Sequence, residues 1–244
     1  MGQVLLSLEE VSKSYWRGPS EVRVLKGACL EVHAGELVAV WGKRGAGKTT
    51  LLRIAAGLEA PDRGVVRFDG RDLSRLAESA HARLMREQVG WVRRDGPSSD
   101  LAMLDYVALP LLIEHGQRGA HRLASEALRR VGMAQCAGQR WPSLSDGERA
   151  LLAIAHGMVR SPRLLLVDDP TANLGLRERE EILQLLRALV EETNLAALIT
   201  VPEMPAAIRS HQLRALSGGR LLAPTAPPQS RGNVIDFPGS ERSA

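Results

Sequence analysis

The chain has 244 residues, of which 44% are hydrophobic and 25% charged, and it carries a net charge of +4. Such a composition can bury a sizeable core and excludes global disorder. Aromatic residues make up only 3%, which argues against base stacking along a nucleic acid as the main activity, and no apolar run approaches the roughly 18 to 20 residues of a membrane helix.

The basic residues are nearly all arginine; the lysines are Lys13, Lys26, Lys43 and Lys48. In so arginine-biased a chain, each lysine invites a search for a task that a guanidinium would do badly. Cys29 and Cys136 have neither metal-ligand spacing nor a paired framework and read as reduced, structural thiols. The start, "MGQVLLSLEEVSKSY", turns charged too early for a signal peptide.

In chain order, "VLLSLEEV" and "VLKGACLEV" alternate as strands with one buried face. "GELVAVWG" is a solid apolar run, the pattern of a strand covered on both sides. It breaks into "GKRGAGKTT", after which "LLRIAAGL" reads as a helix. "GVVRFDG" reads as a hairpin arm ending in a turn. From about residue 72 to 145 the texture is Arg- and Glu-rich and helical, with a break at "DGPSSD", and this block reads as a helical insertion. "SLSDGERALLAIAHGMV" opens a helix with Ser145 and Asp146 as capping candidates. "RLLLVDD" is a second buried strand, "REREEILQLLRALVEE" an amphipathic helix with Ile182, Leu185, Leu186 and Leu189 on one side, and "LAALIT" a third buried strand. Residues 223–244 are rich in Pro, Ser and Gly and read as a disordered tail. Strands alternating with helices predict an α/β fold with a parallel sheet.

One motif fixes the chemistry. "GKRGAGKT", Gly42 to Thr49, matches G-x-x-x-x-G-K-[ST]. Gly42, Gly45 and Gly47 let the backbone of Lys43, Arg44 and Ala46 curl until its N–H groups face inward. The following helix, opening with Lys48, Thr49 and Thr50, adds its positive end. Lys48 is a compact charge for the β- and γ-phosphates, and Thr49 offers a hydroxyl to Mg²⁺. The pattern therefore predicts a ligand with β- and γ-phosphates, together with Mg²⁺. In such proteins a second buried strand ends in a carboxylate facing the metal; here that is Asp168. The next residue, Asp169, stands where a water could be polarised.

Together these stretches resemble the nucleotide-binding subunit of an ABC transporter over roughly residues 4 to 222. "SLSDGERALLAIAHGMV" is similar to the family's LSGGQ signature and its helix, and "LLLVDDPTANLG" to its run LLLLDEPTxxLD. "GRDLSRL", "VGWV", "VALPLL" and "GGRL" are similar to the group that serves lipoprotein release, macrolide export and cell-division permeases. The resemblance implies a P-loop core with an N-terminal antiparallel β subdomain and an inserted α-helical subdomain. It places Tyr15 against adenine, and Ser145 and Gly147 on the γ-phosphate of a second cassette. The partners it implies are that cassette and a transmembrane permease, with no nucleic acid, and it sets the chain in the cytoplasm at the inner membrane face.

Several residues depart from the family pattern. The catalytic Glu falls at Asp169, one methylene shorter, and a displacement of about 1 Å can cost ~10²-fold in rate. The switch histidine aligns with Val201, and losing one such donor costs roughly 10²- to 10³-fold. His211 lies a helix-length further on and reads as a surface residue. The Q-loop glutamine aligns with Arg94, the D-loop aspartate with Gly175, and the third signature residue is Asp146. These departures predict a chain that binds Mg·ATP and hydrolyses it slowly. Two alternatives stay open: an ordinary homodimeric transport ATPase using Asp169 as base, and a non-transport regulatory module acting on a division or cell-envelope partner.

Overall fold

In the computed structural model, residues 2–93, 96–97, 100–202 and 210–222 are described. The stretch 223–244 and Arg94 lie outside them.

An antiparallel sheet comes first. β1 (Val4–Arg17) pairs with β2 (Ser20–His33) and, on its other side, with β4 (Arg63–Phe68), which turns through Asp69–Gly70 into the short β5 (Arg71–Asp72). Asp69 and Gly70 both have positive φ, 51° and 74°, as a two-residue hairpin turn demands.

The second sheet is assembled from β3 (Leu37–Trp41), β6 (Val89–Val92), β7 (Leu164–Asp168), β8 (Ala196–Val201), β9 (Gln212–Ser217) and β10 (Arg220–Leu222). Its order is β10-β9-β3-β8-β7-β6. All neighbours run parallel except β10, which folds back antiparallel on β9 through Gly218 and Gly219. The expected parallel sheet is there, with one antiparallel edge strand added.

The apolar runs are solid because this sheet is covered on both faces. Val38, Val40, Leu164, Leu166 and Leu198 pack toward the antiparallel sheet and helix α1 (Lys48–Ala55). Their alternates, Leu37, Ala39, Leu165, Val167 and Ile199, pack toward the helical side. There α3 (Met103–Ala108), α4 (Leu112–Arg130), α5 (Asp146–Met158) and α6 (Leu176–Thr193) close the second core. Helix α4 is broken at Gly116. On α6, Ile182, Leu183, Leu186, Leu189 and Val190 are buried, while Leu185 sits at the margin of the core. Within the 72–145 block, α2 (Glu78–Gln88) leads into β6, which returns to the main sheet as its edge strand. The helices of that block thus lie on either side of a core strand.

Among the described residues no helix is long and apolar enough to cross a membrane. Cys29 is exposed, Cys136 is buried, and both are free.

Candidate nucleotide-binding site

The carboxyl ends of β3, β8 and β7 lie side by side, the place where open α/β sheets hold ligands. β3 delivers the loop Gly42–Gly47 into α1. Gly47, the residue before the helix, has φ 103° and ψ 12°, and a Cβ there would come within 2.6 Å of Val24 Cγ1. At Gly42 a Cβ would meet the Leu216 carbonyl oxygen at 2.6 Å. Only glycine lets the loop lie this close to β2 and β9. The Ala46 N–H donates to the Lys43 carbonyl at 3.1 Å, closing the turn. Lys48 Nζ reaches back over the loop, donating to the Gly42 carbonyl at 2.5 Å and the Lys43 carbonyl at 3.2 Å. The ammonium is thus held at the centre of the loop, beside the N-terminus of α1, where helix dipole and loop amides favour an anion.

Opposite the loop stands the end of β7. Thr49 Oγ1 donates to Asp168 Oδ2 at 2.8 Å, and Asp168 Oδ1 accepts from Thr200 Oγ1 at 2.8 Å. Thr200 is fully buried on β8, where the register pairs it with Val40 on one side and Asp168 on the other. It also turns the chain after β7: the Asp169 N–H donates to the Thr200 carbonyl and hydroxyl, each at 3.1 Å. Asp169 itself takes a left-handed conformation, φ 47°, which aspartate tolerates better than most residues.

One open cleft of about 1170 Å³ joins Tyr15, Arg44, Gly45, Gly47, Lys48, Thr49, Thr50, Asp168 and Asp169. Gly42, Lys43 and Ala46 form the loop behind it. Burial, reinforced by a hydrogen bond to Glu59, pushes the Tyr15 phenol above its usual range, so it stays protonated. The cleft is also walled by Arg93 and His156. The His156 imidazole stacks on Tyr106 with ring centroids 4.5 Å apart, and burial lowers its pKa from 6.5, leaving it neutral at pH 7.

Ser145 and Gly147 are elsewhere. Ser145 is the N-cap of α5, and its hydroxyl accepts from the Glu148 N–H at 3.2 Å while the Glu148 carboxylate accepts the Ser145 N–H at 2.8 Å. This capping box holds the Glu148 carboxyl below its ordinary range. A Cβ on Gly147 would lie 3.1 Å from Glu178 Oε1, so the starts of α5 and α6 are in contact. Gly175 is the N-cap of α6, and Glu178 accepts its N–H at 3.0 Å.

Val201 is fully buried in the helical-side core. His211 sits at the far end of β3: its Nδ1 accepts from the Leu37 N–H at 3.0 Å, remote from the loop. Sequence reasoning missed Thr200 and Glu59. A hydroxyl closing the otherwise apolar "LAALIT" was a signal for the first; the second carried none.

A phosphate-binding loop at the switch from strand to helix, with a carboxylate on a neighbouring strand end, defines a P-loop α/β protein. The comparisons narrow this to a family. The family model for "ABC transporter" matches residues 25–172. The ATP-binding protein LolD of the lipoprotein-releasing system from Ruegeria sp. (strain TM1040) is 36% identical over 225 residues, 91% of this chain and 99% of that protein. LolD from Pseudomonas syringae pv. tomato is also 36% identical, over 90% of this chain and 98% of its own length. Among solved structures, the ATP-binding cassette MJ0796, a dimer in a post-hydrolysis state bound to ADP and phosphate, superposes with a TM-score of 0.79 at 27% identity, covering 89% of this chain and 96% of that one. The chain belongs to the ABC transporter family, as an ATP-binding domain.

Proposed function

We propose that residues 1–222 form one cassette that is the ATP-binding subunit of a transporter of the export or lipoprotein-release type. Mg·ATP lies on Gly42–Thr50 with its base against Tyr15. The cassette closes on a second one, so that Ser145 and Gly147 of each face the nucleotide of the other, and closure drives a membrane permease that holds the chain at the inner face of the membrane.

The observation that carries this reading is the Thr49–Asp168 hydrogen bond of 2.8 Å beside Lys48. It puts a hydroxyl and a carboxylate, both hard oxygen donors, within reach of one point next to an anion-binding loop. Mg²⁺ takes one or two such ligands together with substrate phosphates, so Thr49 and Asp168 fit it. When bound, the ion neutralises phosphate charge. Lys48 and the loop amides hold the phosphates, and Thr200 fixes the Asp168 carboxylate through its other oxygen. Ser145 and Gly147 do not line the cleft of Lys48 and Thr49, which suits a site completed by a second cassette.

Hydrolysis is slow in this reading. Asp169 is the candidate base, and its carboxylate reaches about one methylene less far than a glutamate, enough to cost ~10²-fold. The Val201 side chain is buried in the core and has no group to hydrogen-bond a phosphate. Purification of the tagged chain from its native host tests the assignment. It should bring down a multi-span permease together with a second cassette, or a second copy of this one. Recovery of the chain without any membrane protein would contradict it.

A further inference from the structure

The phenol of Tyr15 is enclosed by side chains that phosphate chemistry leaves unexplained. Its hydroxyl donates to Glu59 Oε1 at 2.6 Å and lies 3.3 Å from Thr50 Oγ1. A phenol has one proton and gives it to the carboxylate, so Thr50 is the donor in the second contact. Glu59 is itself held. Its Oε2 lies 3.3 Å from Arg53 Nε, and its Oε1 lies 3.7 Å from Lys13 Nζ. Lys13 also donates to the Ala60 carbonyl at 2.9 Å and to Asp62 Oδ1 at 3.0 Å. Asp62 Oδ2 accepts the Ser14 N–H at 2.7 Å, and the Asp62 N–H donates to the Ser12 carbonyl at 2.9 Å. The loop after α1 is therefore stapled to β1 around Lys13, and the Glu59 carboxylate cannot retreat.

The side chains of Lys13 and Glu59 are only 16% and 17% exposed. In such a half-dry setting a hydrogen-bonded charge cluster holds its geometry better than an exposed pair does. Lys13 Nζ lies over the Tyr15 ring, 5.8 Å from its centroid. Tyr15 walls the cleft and Lys13 does not, so the cation backs the ring and leaves the cleft side to a planar ligand. The compact ammonium serves several acceptors at once, where a rigid guanidinium fork would not fit as well.

Thr50 and Arg53 belong to α1, the helix that begins with Lys48 and Thr49. The ring is thus fastened to the helix that carries the phosphate-binding lysine. We infer that Glu59 is a positioning residue for base recognition: clamped by Arg53 and Lys13, it fixes Tyr15 on α1, so that the base platform and the phosphate loop form one rigid ruler for a nucleoside triphosphate. The role rests on the nucleotide reading of the same cleft.

Calorimetry on the full chain with Mg·ATP and with Mg·tripolyphosphate, which has the phosphates but no base, tests it. Glu59→Ala should weaken ATP about tenfold and tripolyphosphate by no more than about twofold, the scale of one lost charge-assisted hydrogen bond. Tyr15→Phe should give the same selective loss, and the double variant no more than either single one, because both remove one interaction. Glu59→Gln, which keeps an oxygen for the phenol, should recover most of the loss. Equal weakening of both ligands would mean structural damage and overturn the role, as would additive losses or an unchanged ATP affinity in Glu59→Ala. A wild-type chain that binds no Mg·ATP would remove the nucleotide reading itself, and the role with it.

Discussion

The proposed phosphate-binding loop is nine consecutive residues, Gly42 to Thr50, on one turn and the start of one helix. On the cutting side the parts are scattered: Asp169 follows β7, Val201 ends β8, and Ser145 and Gly175 cap α5 and α6. On the proposed function, this contrast lets binding persist while hydrolysis weakens. The loop's glycines are tied to the fold itself, since a side chain at Gly42 or Gly47 would collide with Leu216 or Val24. The cutting residues are single side chains at element ends, far apart in the chain. Several also carry structural contacts. Val201 fills core, Ser145 closes a capping box, and Gly175 is capped by Glu178.

The contrast is sharpened most by lengthening the base. Asp169→Glu should raise phosphate release by at least about tenfold, because it restores the lost methylene of reach, with Mg·ATP affinity little changed. Asp169→Asn should lower the residual rate. If neither variant moves the rate, Asp169 is no base and the cutting side is not merely short but absent. Val201→His is a poorer probe, since a histidine there would have to be buried in the helical-side core.

A smaller effect tests whether Ser145 serves the fold. Ser145→Ala removes the hydroxyl that accepts the Glu148 N–H and should destabilise the chain by about 1 kcal/mol, the usual cost of a lost N-cap, read as a lower Tm. An unchanged Tm would mean the cap is dispensable.

The smallest effect concerns His156. Its folded pKa is depressed by burial, so the unfolded chain binds its proton first. Its neutral form costs nothing above about pH 6.5, and stability is lost as pH falls from there toward the folded pKa. His156→Gln should flatten the loss of Tm between about pH 7 and pH 5. An identical slope in wild type and variant would show that the imidazole is not desolvated at the cleft wall.

Legibility in the sequence follows the same division. The loop was readable because its motif is contiguous and lies between an apolar run and a helix. Asp168 was readable because four apolar residues lead into it. The cap of α5 was readable to within one residue, as Ser145 or Asp146; the structure makes it Ser145 and puts Asp146 in the first turn. Thr200 was readable only as a hydroxyl closing an apolar strand; its role depends on β8 lying between β3 and β7, a strand order that no local pattern encodes. Glu59 was not, because Tyr15 lies 44 residues away in the chain. Strand β6 was hidden inside an Arg- and Glu-rich block, since four residues are too few to show a period. The hairpin of β9 and β10 had its Gly-Gly signal at Gly218 and Gly219, but its strands are only six and three residues long.

The most direct test puts binding and turnover on one preparation: calorimetric titration of the full chain with Mg·ATP, followed by phosphate release at saturating nucleotide. Heat with a dissociation constant near the micromolar range, and turnover far below the usual ~1 to 10³ s⁻¹ of enzymes, is the result expected from an intact loop beside an ill-fitted cutting side. Absence of heat, or a brisk turnover that Lys48→Ala abolishes, would contradict it.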